Sequence, residues 1–318
     1  MNQPLCHLLG IKYPIIQGGM GNVSDPSLAA AVSNAGGLGT IGIGTLPMES
    51  VKKNIRTMLE LTDQACCVNI PISVHPQAKE AAEEVAKNGV PVVSLSAGNP
   101  APYIPYFREH GIKVICVTAT VYQAKKAEAA GCDVIVCEGY EAAGINAPNE
   151  STTMALVPQV VDAVSVPVVA AGGIADGRGL AAAIALGASG VQLGTRLVAT
   201  KEAHFHENYK KALVSADDEA TVIIGRKFQQ RRRLLRNDYA AQILQDEQVL
   251  DKNAYFEKTS ERHHEIGALK GDFQNGFINA GQIAGLIKDV PSVAELFETM
   301  MAEAREALSK ANQRLFFN

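Results

Sequence analysis

Eight short runs of apolar and β-branched residues recur along this chain of 318 residues, the first seven each giving way to a helical pattern, and that alternation restricts the fold more than any other feature. The runs cover 13–17, 38–42, 66–70, 92–96, 114–117, 134–137, 168–171 and 190–193. Helical patterns follow at 26–35, 48–61, 77–87, 101–110, 121–130, 153–163 and 179–186, several of them stopping at glycine, as at Gly36-Gly37, Gly111 and Gly131. The runs are apolar throughout instead of alternating, which is how strands buried on both faces of a parallel sheet read. Eight such units imply an α/β chain folded as a (β/α)8 TIM barrel. A doubly wound open sheet would more often carry a glycine-rich turn after its first strand and an acidic residue about twenty positions later. Gln17-Gly18-Gly19-Met20 does not have that form.

The texture changes after Thr195. Residues 204–271 are polar, charged and poor in strand-like runs, and hold Arg226-Lys227 and Arg231-Arg232-Arg233. They are expected to form a smaller, mostly helical insertion after strand eight. The barrel then comprises 1–203 and 272–318, with 204–271 a loosely packed cover over its mouth. The tail, 292–315, reads as an amphipathic helix that packs back on the barrel. The arginine triplet is expected to be a solvated face, or else a patch for an anionic partner.

The chemistry concentrates at two turns. Val168-Val169-Ala170-Ala171 runs into Gly172-Gly173 and then a helix; twenty residues on, Gly190-Val191-Gln192-Leu193 runs into Gly194-Thr195-Arg196. Glycine lets the backbone turn tightly and brings bare N–H groups up to a ligand, and the helix after the first pair is expected to add its positive N-terminal end. Either turn alone is equally an ordinary tight turn. The pair, after strands seven and eight of a barrel, points to a phosphate site. The longest strand-end loop is the sixth, 138–151, longer than an uncommitted βα connection needs to be. Apart from Asp176 the strand ends carry few charges, so no metal site is expected. A large planar cofactor held by backbone groups and amides such as Asn69 and Gln159 fits better.

Other features carry less. His204, His206, His263 and His264 lie in the polar insertion and are expected on a solvated face; His75 follows strand three and is a candidate to face the pocket. The six cysteines form no CxxC pair, and Cys116 and Cys137 read as small hydrophobes inside strands. Net charge is −4, which gives no sign of nucleic-acid or membrane binding. No secretory leader or membrane-spanning run is legible, and a cytoplasmic location with reduced thiols is expected.

A set of motifs in order along nearly the whole chain carries a family resemblance: Ile15-Ile16-Gln17-Gly18-Gly19-Met20, Asn34-Ala35-Gly36-Gly37-Leu38-Gly39, Val68-Asn69, Glu138-Gly139-x-Glu141-Ala142-x-Gly144, Ala170-Ala171-Gly172-Gly173-Ile174-Ala175-Asp176-Gly177, Gln192-x-Gly194-Thr195-Arg196 and Ala280-Gly281-Gln282. The chain resembles the 2-nitropropane dioxygenase (nitronate monooxygenase) family, and within it the branch of FMN-dependent enoyl-acyl-carrier-protein reductases II. The resemblance implies an FMN-bearing barrel that passes hydride from NADH or NADPH to an activated alkene, an enoyl thioester or a quinone; the alternatives are a nitronate monooxygenase or a flavin-binding protein without the family's usual turnover. It also implies a small-molecule or acyl-thioester substrate, acyl carrier protein as a partner, and a homo-oligomer, a dimer. It places Gly18, Gly19, Met20 and Asn69 beside the flavin ring and ribityl chain, with Glu138 and Gln159 nearby. Ala171, Gly172, Gly173, Gly194 and Thr195 would hold the phosphate, and Gln282 would join the cofactor site. One departure matters. The family's sixth loop carries a histidine regarded as catalytic, and this chain has Ile145 there, in Glu141-Ala142-Ala143-Gly144-Ile145-Asn146. An aliphatic side chain cannot move a proton; Tyr140, Asn146 and His75 are the stand-ins the sequence offers.

Overall fold

The computed structural model describes residues 4–315; the ends of the two expected barrel segments, 1–3 and 316–318, lie outside the described residues. Eight parallel strands form the barrel: β1 (Ile15–Gln17), β2 (Gly39–Gly42), β3 (Cys66–Pro71), β4 (Val92–Ser96), β5 (Lys113–Thr118), β6 (Val134–Glu138), β8 (Val168–Ala171) and β9 (Gly190–Leu193). β7 (Gly144–Ile145) lies outside it, within the sixth loop. Each barrel strand pairs with its sequence neighbour in the barrel, and β1 pairs with β9. A parallel bridge between Ile16 and Leu38 closes the ring, with Leu38 N–H donating to Ile15 O at 2.9 Å and Gln17 N–H to Leu38 O at 2.9 Å. Closure leaves no free sheet edge, which is why every run could be apolar on both faces.

Strand periodicity then decides which side chains reach the mouth. Ile16, Cys67, Val92, Ile115, Val134, Val136, Val169 and Ala171 pack inside the barrel, joined by Leu5 and Leu9 of the N-terminal helix Pro4–Leu9. Two residues on from Cys67 and from Val136, the same alternation brings Asn69 and Glu138 into the cavity at the carboxyl ends of the strands. The alternate residues pack outward against the helices in the larger core, around Phe107, Ile55 and Phe297. Truncating one of these buried side chains to alanine costs about 2–5 kcal/mol. Among the cysteines, burial pushes the thiols of Cys66 and Cys137 up to about 11 and 12, so they serve as small hydrophobes. Among the described residues no helix is long and apolar enough to cross a membrane.

The helix after β9, Thr195–Val198, has only four residues. The seat between helix Gly177–Ala185 and helix Pro26–Asn34 is taken instead by the long tail helix, Val293–Leu315, which packs against both. Gly177 permits the contact: a Cβ there would lie 2.4 Å from the carbonyl oxygen of Met300.

The segment between β9 and the tail holds helices Glu207–Val214, Asp238–Asp246, Lys252–Lys258 and Glu261–Lys270. It also holds a β-hairpin the sequence reading missed. β10 (Thr221–Ile224) pairs with β11 (Arg232–Leu235), and β11 pairs in turn with β7, Arg232 opposite Ile145 and Arg233 opposite Gly144. Ile224, Leu234, Ala240, Ile243, Tyr255 and Phe277 give it a small core. The expected solvated arginine face is therefore corrected for Arg232 and Arg233, which are 5% and 4% exposed. Each is buried because it has partners. Arg233 donates to Tyr140 O at 3.0 and 3.2 Å and to Thr221 Oγ1 at 3.1 Å; Arg232 meets Glu261 at 3.4 Å and lies 4.9 Å over the Phe277 ring. Arg231 pairs with Glu150 at 2.6 Å.

Candidate active site

A cavity of about 980 Å³ lies at the carboxyl ends of the strands, between the barrel and the inserted segment. Its floor is backbone. Gly172 and Gly173 follow β8 with φ of +86° and +76°, a region glycine enters without cost. Gly194 follows β9, and a Cβ there would meet nothing within 4 Å, so the turn opens on empty cavity. The N–H groups of Gly173, Gly194 and Thr195 have no hydrogen-bond partner among the described residues, and all three residues line the cavity. Open donors of this kind suit an anion. Thr195 is fixed from behind, its Oγ1 accepting from Gly281 N–H at 2.9 Å.

The helix that follows Gly172-Gly173 contributes no open donors, contrary to the sequence expectation. Asp176 caps it, accepting from Arg178 N–H at 2.9 Å and Gly179 N–H at 3.3 Å, and Gly177 N–H donates to Glu303 on the tail helix at 2.9 Å. Two carboxylates already satisfy that helix end, and neither Asp176 nor Gly177 lines the cavity. Arg196 likewise turns away, to Asp289 at 2.6 Å.

Gly18, Gly19, Met20, Asn69, Glu138, Ala171 and Gly172 line the cavity together, as does Gln192, whose amide sits against Gly18. Gly19 has to be glycine, since a Cβ would stand 2.7 Å from the Asn69 side chain. The Asn69 amide is held by Ser94 Oγ and Ser96 Oγ, both at 3.2 Å. The Glu138 carboxyl group has no hydrogen-bond partner among the described residues, and burial pushes it up to about 7.

Four expected site residues lie elsewhere. Gln159 is exposed on helix Thr153–Val161 and donates to Ala155 O on its own helix at 2.6 Å. Gln282 is exposed, and only its backbone reaches inward, donating to Glu141 O at 2.9 Å. His75 is buried away from the cavity: Nε2 donates to Leu46 O at 3.1 Å and Nδ1 accepts from Gln77 N–H at 3.1 Å. Tyr140 borders a separate void of about 10 Å³, its hydroxyl accepting from Arg226 at 2.8 Å. Asn146 and Ile145 do line the cavity. Asn146 Nδ2 donates to Ala142 O at 3.2 Å while its buried Oδ1 has no partner; Ile145 is 49% exposed.

The wall beneath the insertion holds what the sequence reading passed over. His264, expected on a solvated face, is 4% exposed and lines the cavity, with Arg232, Glu261, Asn279 and Tyr209. Its ring stacks on Phe277, planes 3° apart and centroids 5.4 Å apart. Nδ1 stands 3.6 Å from the Glu261 carboxylate, and the Asn279 amide lies 3.2 Å from Nε2. Burial opposes ionisation of Glu261, but His264 and Arg232 together outweigh it and hold the carboxyl at about 2. Glu261-x-x-His264 at i,i+3 was the available signal, since that spacing puts both on one helix face. The helix also reaches the first loop: Asn22 Nδ2 donates to Glu265 at 3.1 Å, and Glu261 Oε2 lies 3.2 Å from where a Gly21 Cβ would stand.

The chain is similar in sequence and fold to known proteins. The nitronate monooxygenase family model matches residues 2–88 and 73–303. A probable nitronate monooxygenase of Staphylococcus saprophyticus is 33% identical, over 95% of this chain and 98% of its own. The (3aS,4S,5R,7aS)-5-hydroxy-7a-methyl-1-oxo-octahydro-1H-indene-4-carboxyl-CoA dehydrogenase of Mycobacterium tuberculosis is 30% identical, over 98% of each chain. FabK from Thermotoga maritima superposes with a TM-score of 0.94 at 39% identity, over 99% of each chain. With a glycine-floored cavity at the mouth of a (β/α)8 barrel, and with matches along almost its whole length, this chain belongs to the nitronate monooxygenase family and is an oxidoreductase.

Proposed function

We propose that the protein is an FMN-dependent oxidoreductase that takes reducing equivalents from NADH or NADPH and passes them to an activated alkene, an enoyl thioester or a quinone. The observation that carries the reading is the floor: unpartnered amides of Gly173, Gly194 and Thr195 at the bottom of a cavity large enough for a flavin and a second ring. These amides would hold the phosphate. Gly19 and Asn69 would border the ring and ribityl chain, and Glu138 and Gln192 would offer polar contacts. The flavin, when bound, supplies hydride acceptance and donation; the chain's part is to align the two partners and exclude water. A thioester acceptor is supported by the likeness to FabK, an enoyl-acyl-carrier-protein reductase, and to a relative named for a carboxyl-CoA. Acyl carrier protein as the carrier, and a dimer as the working form, belong to the same proposal.

The test is direct. Denaturation of the purified yellow protein should release FMN, and stopped-flow mixing should show reduction by NADH or NADPH. Release of FAD, or a colourless protein that does not take up FMN, sinks the reading. A second reading, oxidation of nitronates with molecular oxygen, is favoured by the probable nitronate monooxygenase among the relatives; oxygen uptake with ethyl nitronate, without NAD(P)H, would select it. Residues 204–271 act as a cover in either case. Hydrogen exchange over 225–270 should slow when an acyl thioester binds, and equal, strong protection in both states would remove the cover from the proposal.

A further inference from the structure

We infer that His264, brought to the cavity by the inserted segment, is the group that donates and accepts the proton of the reaction, in place of an imidazole at position 145. The inference rests on the flavin reading above. Its ground is a convergence of elements that are far apart in sequence. β7 carries Ile145 along the rim, and its partner across the ladder is Arg232. Arg232 reaches Glu261, and Glu261 lies 3.6 Å from His264 Nδ1. From the other side, the Asn279 side chain lies 3.7 Å from where a Gly144 Cβ would stand and 3.2 Å from His264 Nε2. The imidazole therefore belongs to the same wall of the cavity as the sixth loop, and both His264 and Ile145 line it.

The surroundings suit proton transfer. The charged or titratable groups about the ring are Glu261 on its own helix, Arg232 from β11 through Glu261, and Tyr209, whose hydroxyl donates to Asn279 O. Phe277 fixes the ring plane. The Glu261 carboxylate faces Nδ1, while Nε2 faces the Asn279 side chain, whose buried Oδ1 has no partner among the described residues and would accept the Nε2 proton once the amide turns over. In reduction of an enoyl thioester, hydride reaches one alkene carbon and the other becomes carbanionic. The Nε2 proton passes to that carbon, the ring becomes neutral, and water returns the proton. In oxidation of a neutral nitroalkane the neutral ring takes the acidic C–H proton. A quinone needs neither step, because its reduced form takes protons from solvent.

The experiment uses the flavin-loaded full chain and His264→Gln, with crotonyl-CoA, neutral nitroethane and menadione as probes. Flavin content and the rate of reduction by NAD(P)H should match wild type, as should turnover of menadione. Turnover of whichever proton-requiring probe wild type consumes should fall by about a hundred- to ten-thousand-fold, and the corresponding limb of its pH profile should vanish. Ile145→His in the His264→Gln background should recover part of the rate without restoring any structural role of residue 264. A readout independent of turnover is the His264 ring resonance, identified by its absence in His264→Gln, which butyryl-CoA should perturb. Full proton-requiring turnover in His264→Gln overturns the inference while leaving the flavin reading intact, and so does a wild type that reduces menadione but consumes neither proton-requiring probe. A wild type whose flavin NAD(P)H does not reduce fails at the earlier step and overturns both readings.

Discussion

At the floor of the cavity the polar groups on offer are the backbone amides of Gly173, Gly194 and Thr195, whereas at the wall beneath the insertion they are the side chains of Arg232, Glu261, His264 and Asn279. The floor amides belong to turns fixed by two barrel strands, so they are preorganised for an anionic part of a ligand. The wall side chains are held by one another and by Phe277, on β11, on helix Glu261–Lys270 and on the segment that leads from it to the tail helix. The difference teaches that a backbone-built anion site and a cluster of ionisable side chains are carried by separate parts of the molecule, so one can change while the other stays.

The largest effect should come from putting charge on the floor. Gly194→Asp directs a carboxylate into open cavity with no backbone clash. At about 4 Å from a phosphate the repulsion is of order 4 kcal/mol, roughly a thousandfold in affinity. Equilibrium dialysis against FMN measures it, and full retention of flavin would show that the phosphate sits elsewhere. Gly173→Asp should lose flavin similarly, with added strain at φ +76°.

Glu138 sharpens the comparison through pH. Its folded value of about 7 lies above the ordinary carboxyl value of 4.5. The folded state therefore holds its proton more tightly, and stability is lost as pH rises from 4.5 through about 7. In flavin-free protein Glu138→Gln should be more stable than wild type at pH 8, by up to about 3 kcal/mol, with the gain gone near pH 4. Urea unfolding at the two pH values reads it; equal midpoints would mean Glu138 is solvated.

Glu261 should behave in the opposite sense. Held at about 2 by His264 and Arg232 against its own burial, it contributes stability above pH 4.5 that fades as pH falls toward 2. Glu261→Gln should cost about 1–2 kcal/mol at pH 6, discounted for its partial exposure, and almost nothing near pH 2. A cost that does not depend on pH would make the wall a packing feature only.

The smallest effect tests the helix end that the floor does not use. Asp176→Ala removes a cap and should cost about 1 kcal/mol while leaving FMN affinity unchanged. A parallel loss of flavin would mean that this helix does help hold the phosphate.

Much of the floor was legible in sequence because strand and turn patterns are local. The eight apolar runs and the glycine turns at 172, 173 and 194 follow from short-range spacing, and the structure has eight parallel strands with those glycines along the cavity, whereas Glu138 came only with the family resemblance. Gln159 and Gln282 were misjudged because a motif position says nothing about which face of a helix or turn an amide takes. His75 was misjudged because two backbone groups, at Leu46 and Gln77, claim its ring.

The wall was not legible, for a physical reason. A buried arginine or histidine has the same local sequence as a solvated one; what buries it is a partner supplied from elsewhere in the chain. Arg231-Arg232-Arg233 is a charge run until β11 pairs with β7 and sends its members to Glu150, Glu261 and Tyr140. His264 is one of two adjacent histidines in a polar helix until Phe277, Asn279 and Glu261 close around it. The sequence by itself determined the barrel and the glycine floor, because both depend on backbone geometry repeated at short range. Only the tertiary structure decided which ionisable side chain faces the cavity, because desolvation and pairing are properties of contacts between segments distant along the chain.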